Sequence, residues 1–520
     1  MDSVNGTGDS AARSGTRGPF RMVMLSAAVA AWAAAPAPAS GGTRPMSRKA
    51  VTPVVEAESV VYDWAFTPNG ASPMWCYGNT CIVRTGKGVF VSGIETIKSI
   101  KVKPGAPSFS LNNQRWLLLK LEKDGWQRQQ RADGPQREPC PIGCCRDGRL
   151  FLSSTPAARR NRPEILAFDA ADPQATYRTL LPYGAGPGRF GSSTYRTFTV
   201  DGVNGEMMVF YNRGLTHSEW VFGDRSGTWS ARGRLGWPKR EDPSISPYGP
   251  LARVNYPTVV LRNRALHFAG AAAYNRWARV KTRDLAGRRY GNRWRRLFYT
   301  WTPDITKRGF SKWIEIGSTH ETGGWLFPGD LWVDDAGIAH IAWFEAPVNE
   351  ELREIHFPDL KSVFALKYAQ VKDGKVVLKK TLLEGGEGKS PEIPGHPGAG
   401  NYIKFPSPKE KDGYLISDQA GRGQPRFQVT PNGRLFAIYF VGGKDASGKP
   451  IAENRLMEIH PDGATGPAMR IPLKHPLIEF FTATPRGGSA PSNVIDLLGY
   501  RKSTLIKKIC YARVRLEEKE

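Results

Sequence analysis

Beyond one apolar stretch near its start, the sequence contains no run of 18 apolar residues. That excludes a chain built on membrane-spanning helices. Cysteine is scarce, with six residues in 520, and histidine is little commoner at eight. Cys140, Cys144 and Cys145 share the stretch "CPIGCC", while Cys76, Cys81 and Cys510 stand apart. No second CxxC or HxxxH lies at zinc spacing, so a structural zinc site is not expected, and neither a metal nor a cofactor is called for. An even number of cysteines permits three disulfides without dictating connectivity, and buried or bridged thiols are the expectation. Acidic residues are the minority charge, 48 against 73 Lys and Arg, which leaves a net charge of +25. Such a surface attracts polyanions. The basic residues are scattered and no recognised nucleic-acid motif is present, so an acidic oligo- or polysaccharide, not nucleic acid, is the partner expected.

The apolar stretch is "MVMLSAAVAAWAAAPAPASGG", which begins at Met22 after a polar leader ending at Arg21. Its hydrophobic part is too short to span a bilayer and ends in the small-x-small site Ala37-Pro38-Ala39. Residues 1–40 therefore read as leader and secretory signal peptide, 41–56 as linker and 57–516 as one domain. A soluble, exported, monomeric protein is expected.

Aromatic residues are abundant, with 15 Trp, 17 Tyr and 23 Phe, and they come with 56 Gly and 40 Pro. This composition suits short strands joined by tight turns and predicts an all-β chain. A strand-turn-strand phrase recurs, for example "NTCIVRTGKGVFVSGIET" (79–96), "VNYPTVVLRNRALHFAG" (254–270), "PGDLWVDDAGIAHIAWFE" (328–345) and "PRFQVTPNGRLFAIYFVGG" (425–443). Each is followed by an outer strand pair. Units of about four strands repeated this way predict a β-propeller, with seven blades expected and six an alternative. Pairing of "VVEAESVVYDW" near the start with "KICYARVRL" at the end would close the ring and remove exposed sheet edges. Residues 383–423, rich in Gly, Pro and Lys, are expected to form a loop beside the ligand face and not a strand pair.

Within the outer pairs, "GDRSGTW" (223–229), "EKDGW" (122–126) and "ITKRGFSKW" (305–313) resemble the Asp-box and Gly-Trp turns of the BNR-repeat, sialidase-like superfamily over roughly residues 60–516. The resemblance implies a propeller and a carbohydrate-related role. The superfamily includes sialidases, other glycosidases, polysaccharide lyases and binding proteins. Sialidases carry an Arg-Ile-Pro stretch in the first inner strand, an arginine triad that grips a carboxylate, and an aspartate with a tyrosine-glutamate pair. Here that strand offers Arg84 in "CIVRTG" without Ile-Pro.

Topology nominates the site. Inner strands begin, and second strands end, on the face where loops converge. The starts give Trp75, Tyr77, Arg137, Tyr195, Arg196, Arg253, Asn255, Tyr256, Trp325, Asp330, Arg422 and Arg426, and the ends give Glu95, Asn212, His217, Tyr274, Arg276 and Glu345. β-Elimination at a uronic acid needs arginines to neutralise the carboxylate, for which Arg196, Arg253 and Arg426 are the candidates. It also needs a base and an acid, roles for His217, Tyr256 and Tyr274. Tyr195, Trp325, Asp330 and Glu345 complete the expected substrate contacts, with Glu345 suited to anchoring a rim arginine. Hydrolysis would instead use two carboxyl groups or a tyrosine nucleophile. The function expected is that of a secreted carbohydrate-active propeller, lyase or sialidase-like glycosidase, and the alternative is a non-catalytic binder of glycan or protein. His267 and His340 occupy one repeat position inside strands and are expected to be structural.

Overall fold

The computed structural model describes residues 49–67, 69, 71–100, 111–160, 162–182, 196–213, 217–239, 251–273, 294–348, 353, 356–395, 404–405, 414–415, 424–501 and 508–518. Residues 50–520 pack as one compact unit. The unit is a seven-bladed β-propeller of antiparallel four-stranded blades, the architecture that the strand-turn-strand repeat predicts. The innermost strands of blades 1 to 7 are Ile82–Thr85, Ile142–Cys144, Thr197–Asp201, Val254–Arg262, Gly323–Val333, Arg426–Val429 and Leu477–Thr482.

Blade 7 closes the ring in the expected way. Its outermost strand is Val51–Asp63 from the start of the chain, paired with Lys508–Glu518 from the end. The closure leaves the ring no open seam. Turn chemistry follows the sequence. In blade 4 Arg262 faces Ala265 across a two-residue turn in which Asn263 and Arg264 both have positive φ, 48° and 66°. That is the backbone a tight right-twisted hairpin requires.

The core lies between blades. Seven hydrophobic clusters fill the successive blade-to-blade interfaces, for instance Phe210 of blade 3 against Phe268 of blade 4. Second strands are sandwiched on both sides, so Leu435–Lys444 is buried over its first eight residues. Each fully buried large apolar side chain contributes about 1.5–3 kcal/mol.

The stretch 383–423 differs from the expected loop. Residues 383–386 end the outermost strand of blade 5, and Glu392–Pro394 pairs with residues 441–443 beside Arg426–Val429, which covers residues 435–438 of the same second strand. Lys404–Phe405 also pairs with Tyr414–Leu415. The physical reason is that a ten-residue second strand leaves buried backbone groups unpaired unless both of its halves are covered.

His267 and His340 are structural, as their shared repeat position suggests. Each lies in a second strand and places Nδ1 2.6 Å from the hydroxyl of a third-strand tyrosine, Tyr299 and Tyr368 respectively. Burial lowers the His267 pKa from 6.5 to about 4. The folded chain thus binds fewer protons than the unfolded chain, and the stability contributed above pH 6.5 is lost as pH falls to about 4. The loss expected is on the order of 3 kcal/mol. Urea unfolding of His267→Gln between those pH values should show a flatter dependence than the parent; equal slopes would contradict this.

Candidate functional site on the upper face

The face where each outermost strand hands over to the next blade is called upper here, and the opposite face lower. The handover into blade 1 runs through Trp75–Thr80, and this segment crosses the axis. The Tyr77 carbonyl accepts from both Nη atoms of Arg426 in blade 6 at 3.0 and 3.1 Å. Asn79 Oδ1 accepts from the Thr197 hydroxyl and the Phe198 amide of blade 3. Thr80 Oγ1 donates to the Thr482 carbonyl of blade 7, and the Thr80 carbonyl accepts from the Ile142 amide of blade 2. At Gly78 a Cβ would lie 2.1 Å from the Pro257 carbonyl oxygen of blade 4, so only glycine fits this crossing.

A second segment enters from below. The hairpin loop of blade 7 contains the one-turn helix Pro485–Gly487. Gly488 has φ +89° and sits against the Cys144 carbonyl, where a Cβ would come within 1.8 Å. From this loop Arg486 reaches up the axis. Its Nε donates to Asp330 Oδ1 at 2.7 Å, and its Nη atoms donate to the Gly78 and Asn79 carbonyls at 2.9 and 3.0 Å. The axis is therefore occupied by two chain segments joined through one guanidinium. A ligand on the upper face would meet a floor, not a channel.

Three irregularities aim side chains at that floor. The inner strands of blades 4, 5 and 7 shift register between Asn255 and Thr258, between Pro328 and Asp330, and between Leu477 and Glu479. Bulges of this kind re-aim side chains. They present Tyr256, Asp330 and Glu479. Tyr256 has φ +48°, a conformation non-glycine residues rarely hold, and its hydroxyl accepts from Trp75 Nε1 at 2.7 Å. Its ring packs edge-on against Tyr77 at 4.9 Å and Trp294 at 5.3 Å. Arg137 lies over Trp75, 5.3 Å from the ring centroid. Trp75, Tyr77 and Arg137 are half-buried and form the accessible top of this aromatic cluster.

Beneath it lies Glu479, 6% exposed, whose Oε1 has no hydrogen-bond partner. Burial raises its pKa from 4.5 to about 8, against the opposing pull of Arg426. It is therefore mostly protonated at neutral pH. The same carboxyl group helps push the Tyr77 and Tyr500 phenols well above their ordinary value, although burial is the larger cause for both.

The residues nominated from sequence divide sharply. Tyr256 belongs to the aromatic floor. Trp325 is buried and tilted against Phe364. Arg426 is 1% exposed, and the hydrogen bonds described for it go to the Phe480, Tyr77 and Gly329 carbonyls and to Gln424. Arg196 is 3% exposed and donates to the Pro139 and Ser153 carbonyls and to the hydroxyls of Ser153 and Thr155. Both arginines thus bind blades together in place of clamping a carboxylate. The cause is burial, which leaves a guanidinium stable only where carbonyls surround it. Asp330 is an axial anchor, not a rim acid: it pairs with Arg486 and also accepts from the Phe427 and Leu331 amides.

Glu345 accepts from Trp343 Nε1 and lies 3.9 Å from Lys367, so a lysine stands where an arginine was expected. His217 is half-buried, with Nε2 3.8 Å from Glu219. Arg253 is half-buried on the upper rim. Arg84 lies at the lower end of its strand and grips Asp496 bidentately, tying blade 1 to blade 7. Tyr195 and Tyr274 lie outside the described residues. All six cysteines are buried. Among the described residues no group of three or more His, Cys, Asp or Glu is placed to hold a metal ion, and no helix is long and apolar enough to cross a membrane.

The sequence reading missed Glu479 and Arg486. The signal for the first was present, a single acid in the otherwise apolar "LIEFFT"; that for the second was not, because its long-range partner Asp330 lies 156 residues away.

No protein-family model matches the chain, and no curated protein matches it in sequence. Solved structures do resemble it. A protein of unknown function from Dyadobacter fermentans is 11% identical with a TM-score of 0.42, covering 89% of this chain and 99% of its own. An ACO/RPE65 chimera is 11% identical with a TM-score of 0.39, covering 89% and 93%. The GH93 α-L-arabinofuranosidase of Fusarium graminearum, in complex with arabinobiose, is 12% identical with a TM-score of 0.35, covering 72% and 92%. At such low identity and TM-score these likenesses carry nothing about activity, and the fold stands on the strand pairing described above. The phrases "GDRSGTW", "EKDGW" and "ITKRGFSKW" do fall at one position, the connection between third and fourth strands of blades 3, 1 and 4. In the first, Asp224 Oδ1 accepts from the amides of Ser226 and Thr228.

Proposed function

We propose that this is a secreted, carbohydrate-active propeller of sialidase-like type that acts on an acidic glycan held over the upper floor. The observation that carries the reading is Glu479, a carboxyl group buried beneath half-buried aromatic residues at the axis with Oε1 unpartnered, a setting that raises its pKa to about 8. Breaking a glycosidic bond, by elimination or by hydrolysis, requires a proton on the departing oxygen, and an acid with a raised pKa supplies it. Trp75 and Tyr77 offer apolar faces for sugar rings, and buried Tyr256 supports them from below. Arg137 and Arg253 are the upper-face cations suited to a carboxylate, and the net charge of +25 raises the local concentration of polyanions. His217 is the candidate base. The slight exposure of Glu479 favours a second reading, a binder that holds glycan on the aromatic floor without reaching the acid.

Incubation with a panel of acidic polysaccharides tests both. Ultraviolet absorbance of unsaturated uronate marks elimination, new reducing ends without it mark hydrolysis, and binding with neither product marks the second reading. Arg253→Ala should weaken binding roughly ten- to a hundredfold, as expected for one charge-assisted contact. His217→Ala should lower kcat with little change in KM. If no acidic glycan binds, the proposal fails.

A further inference from the structure

The axial segment on the upper face begins and ends in cysteine, Cys76-Tyr77-Gly78-Asn79-Thr80-Cys81. The two sulfurs lie 3.4 Å apart, and both side chains are buried, at 4% and 1% exposure. We propose that Cys76 and Cys81 are a disulfide-forming pair whose bond staples this segment across the propeller axis.

The other four cysteines have different surroundings. Cys140 Sγ accepts from Gln136 Nε2 at 2.9 Å, Cys144 Sγ donates to the Arg84 carbonyl, and Cys510 Sγ donates to the Lys508 carbonyl. Cys145 packs in the interface of blades 2 and 3. Cys76 Sγ and Cys81 Sγ, by contrast, are in direct contact with each other. A disulfide needs about 2.05 Å between sulfurs, so the gap closes by about 1.4 Å, within reach of side-chain rotation when both ends of a short loop already face each other.

The chemistry is thiol-disulfide exchange with a small-molecule disulfide such as oxidised glutathione. One cysteine thiolate attacks a glutathione sulfur and expels the other as a thiolate, giving a mixed disulfide. The second cysteine then attacks the protein-bound sulfur, forms the Cys76–Cys81 bond and expels the second glutathione. Two cysteine protons and two electrons end on two reduced glutathione molecules, so the step balances. In the closed fold, the hydrogen bond to Cys76 and then burial hold the Cys81 thiol protonated and unreactive. Exchange therefore takes place during folding, or when the segment opens. The bond would hold the segment that carries Tyr77 and receives Arg426 and Arg486. The inference stands independently of the glycan reading.

The test is the full chain refolded in a glutathione redox buffer, alkylated under denaturing conditions without reductant, and mapped by mass spectrometry. One linked peptide joining Cys76 to Cys81, lighter by two hydrogens than its reduced form, is expected, with the other four cysteines alkylated. Alkylation of all six, or a bridge from either residue to Cys140, overturns the proposal. Hydrogen exchange then tests the staple. Reduction of the parent should speed exchange at the Asn79 amide, while Cys76→Ser/Cys81→Ser should exchange at the fast rate in both buffers. No change on reduction would show a bond that staples nothing.

Discussion

Arg486→Ala should destabilise the protein by about 3–5 kcal/mol, the cost of leaving a buried charge without its partner. The Arg486 and Asp330 side chains are 3% and 0% exposed, so water cannot take over the lost contact. The same substitution removes the donors to the Gly78 and Asn79 carbonyls, and with them the link between the lower loop and the upper segment. Urea unfolding should show the midpoint falling. The double variant Arg486→Met/Asp330→Asn should recover part of the loss, because it removes both charges while keeping an acceptor for the Phe427 amide. A single variant within about 1 kcal/mol of the parent would mean that the axial pair is not what joins the two segments.

Glu479→Gln should stabilise the chain at alkaline pH. The folded pKa is raised, to about 8 from 4.5, so the folded state holds a proton that the unfolded state releases. The stability present below pH 4.5 is lost as pH rises to about 8 and stays lost above it. That loss is on the order of 4–5 kcal/mol, and the neutral amide does not incur it. Parent and variant should therefore diverge steadily across this window in denaturant unfolding. Parallel curves would place the carboxyl pKa near its ordinary value and remove the proton donor from the functional proposal. If the proposal holds, the same variant loses product formation while keeping glycan binding. The stability measurement and the activity measurement thus probe the proton on Glu479 independently.

The architecture was legible because its causes are local. The apolar, β-branched and aromatic residues of "TFTVD" and "EMMVFYNR", the turn residues between them and the recurrence of the phrase all act within a few residues of one another. Closure by the two ends of the chain follows once the strands are counted, since the outermost strand of blade 7 would otherwise be missing. The histidines at one repeat position were legible for the same reason, because equivalent positions in a repeat meet equivalent neighbours.

The site was less legible because its members act at long range. Arg196, Arg253 and Arg426 look alike at inner-strand starts, yet two are sealed against carbonyls and one sits half-buried on the rim. No local pattern distinguishes a guanidinium that binds blades from one that faces solvent. Burial depth decides, and it depends on which segment crosses the axis. By itself the sequence determined an all-β propeller and its closure, since alternation, turns and repetition are short-range properties of the chain. Only the tertiary structure decided that the axis is filled, that Asp330 pairs with Arg486 and that burial raises the pKa of Glu479. Each of those depends on residues far apart in sequence being desolvated together, and desolvation is a property of the packed ring rather than of any stretch within it.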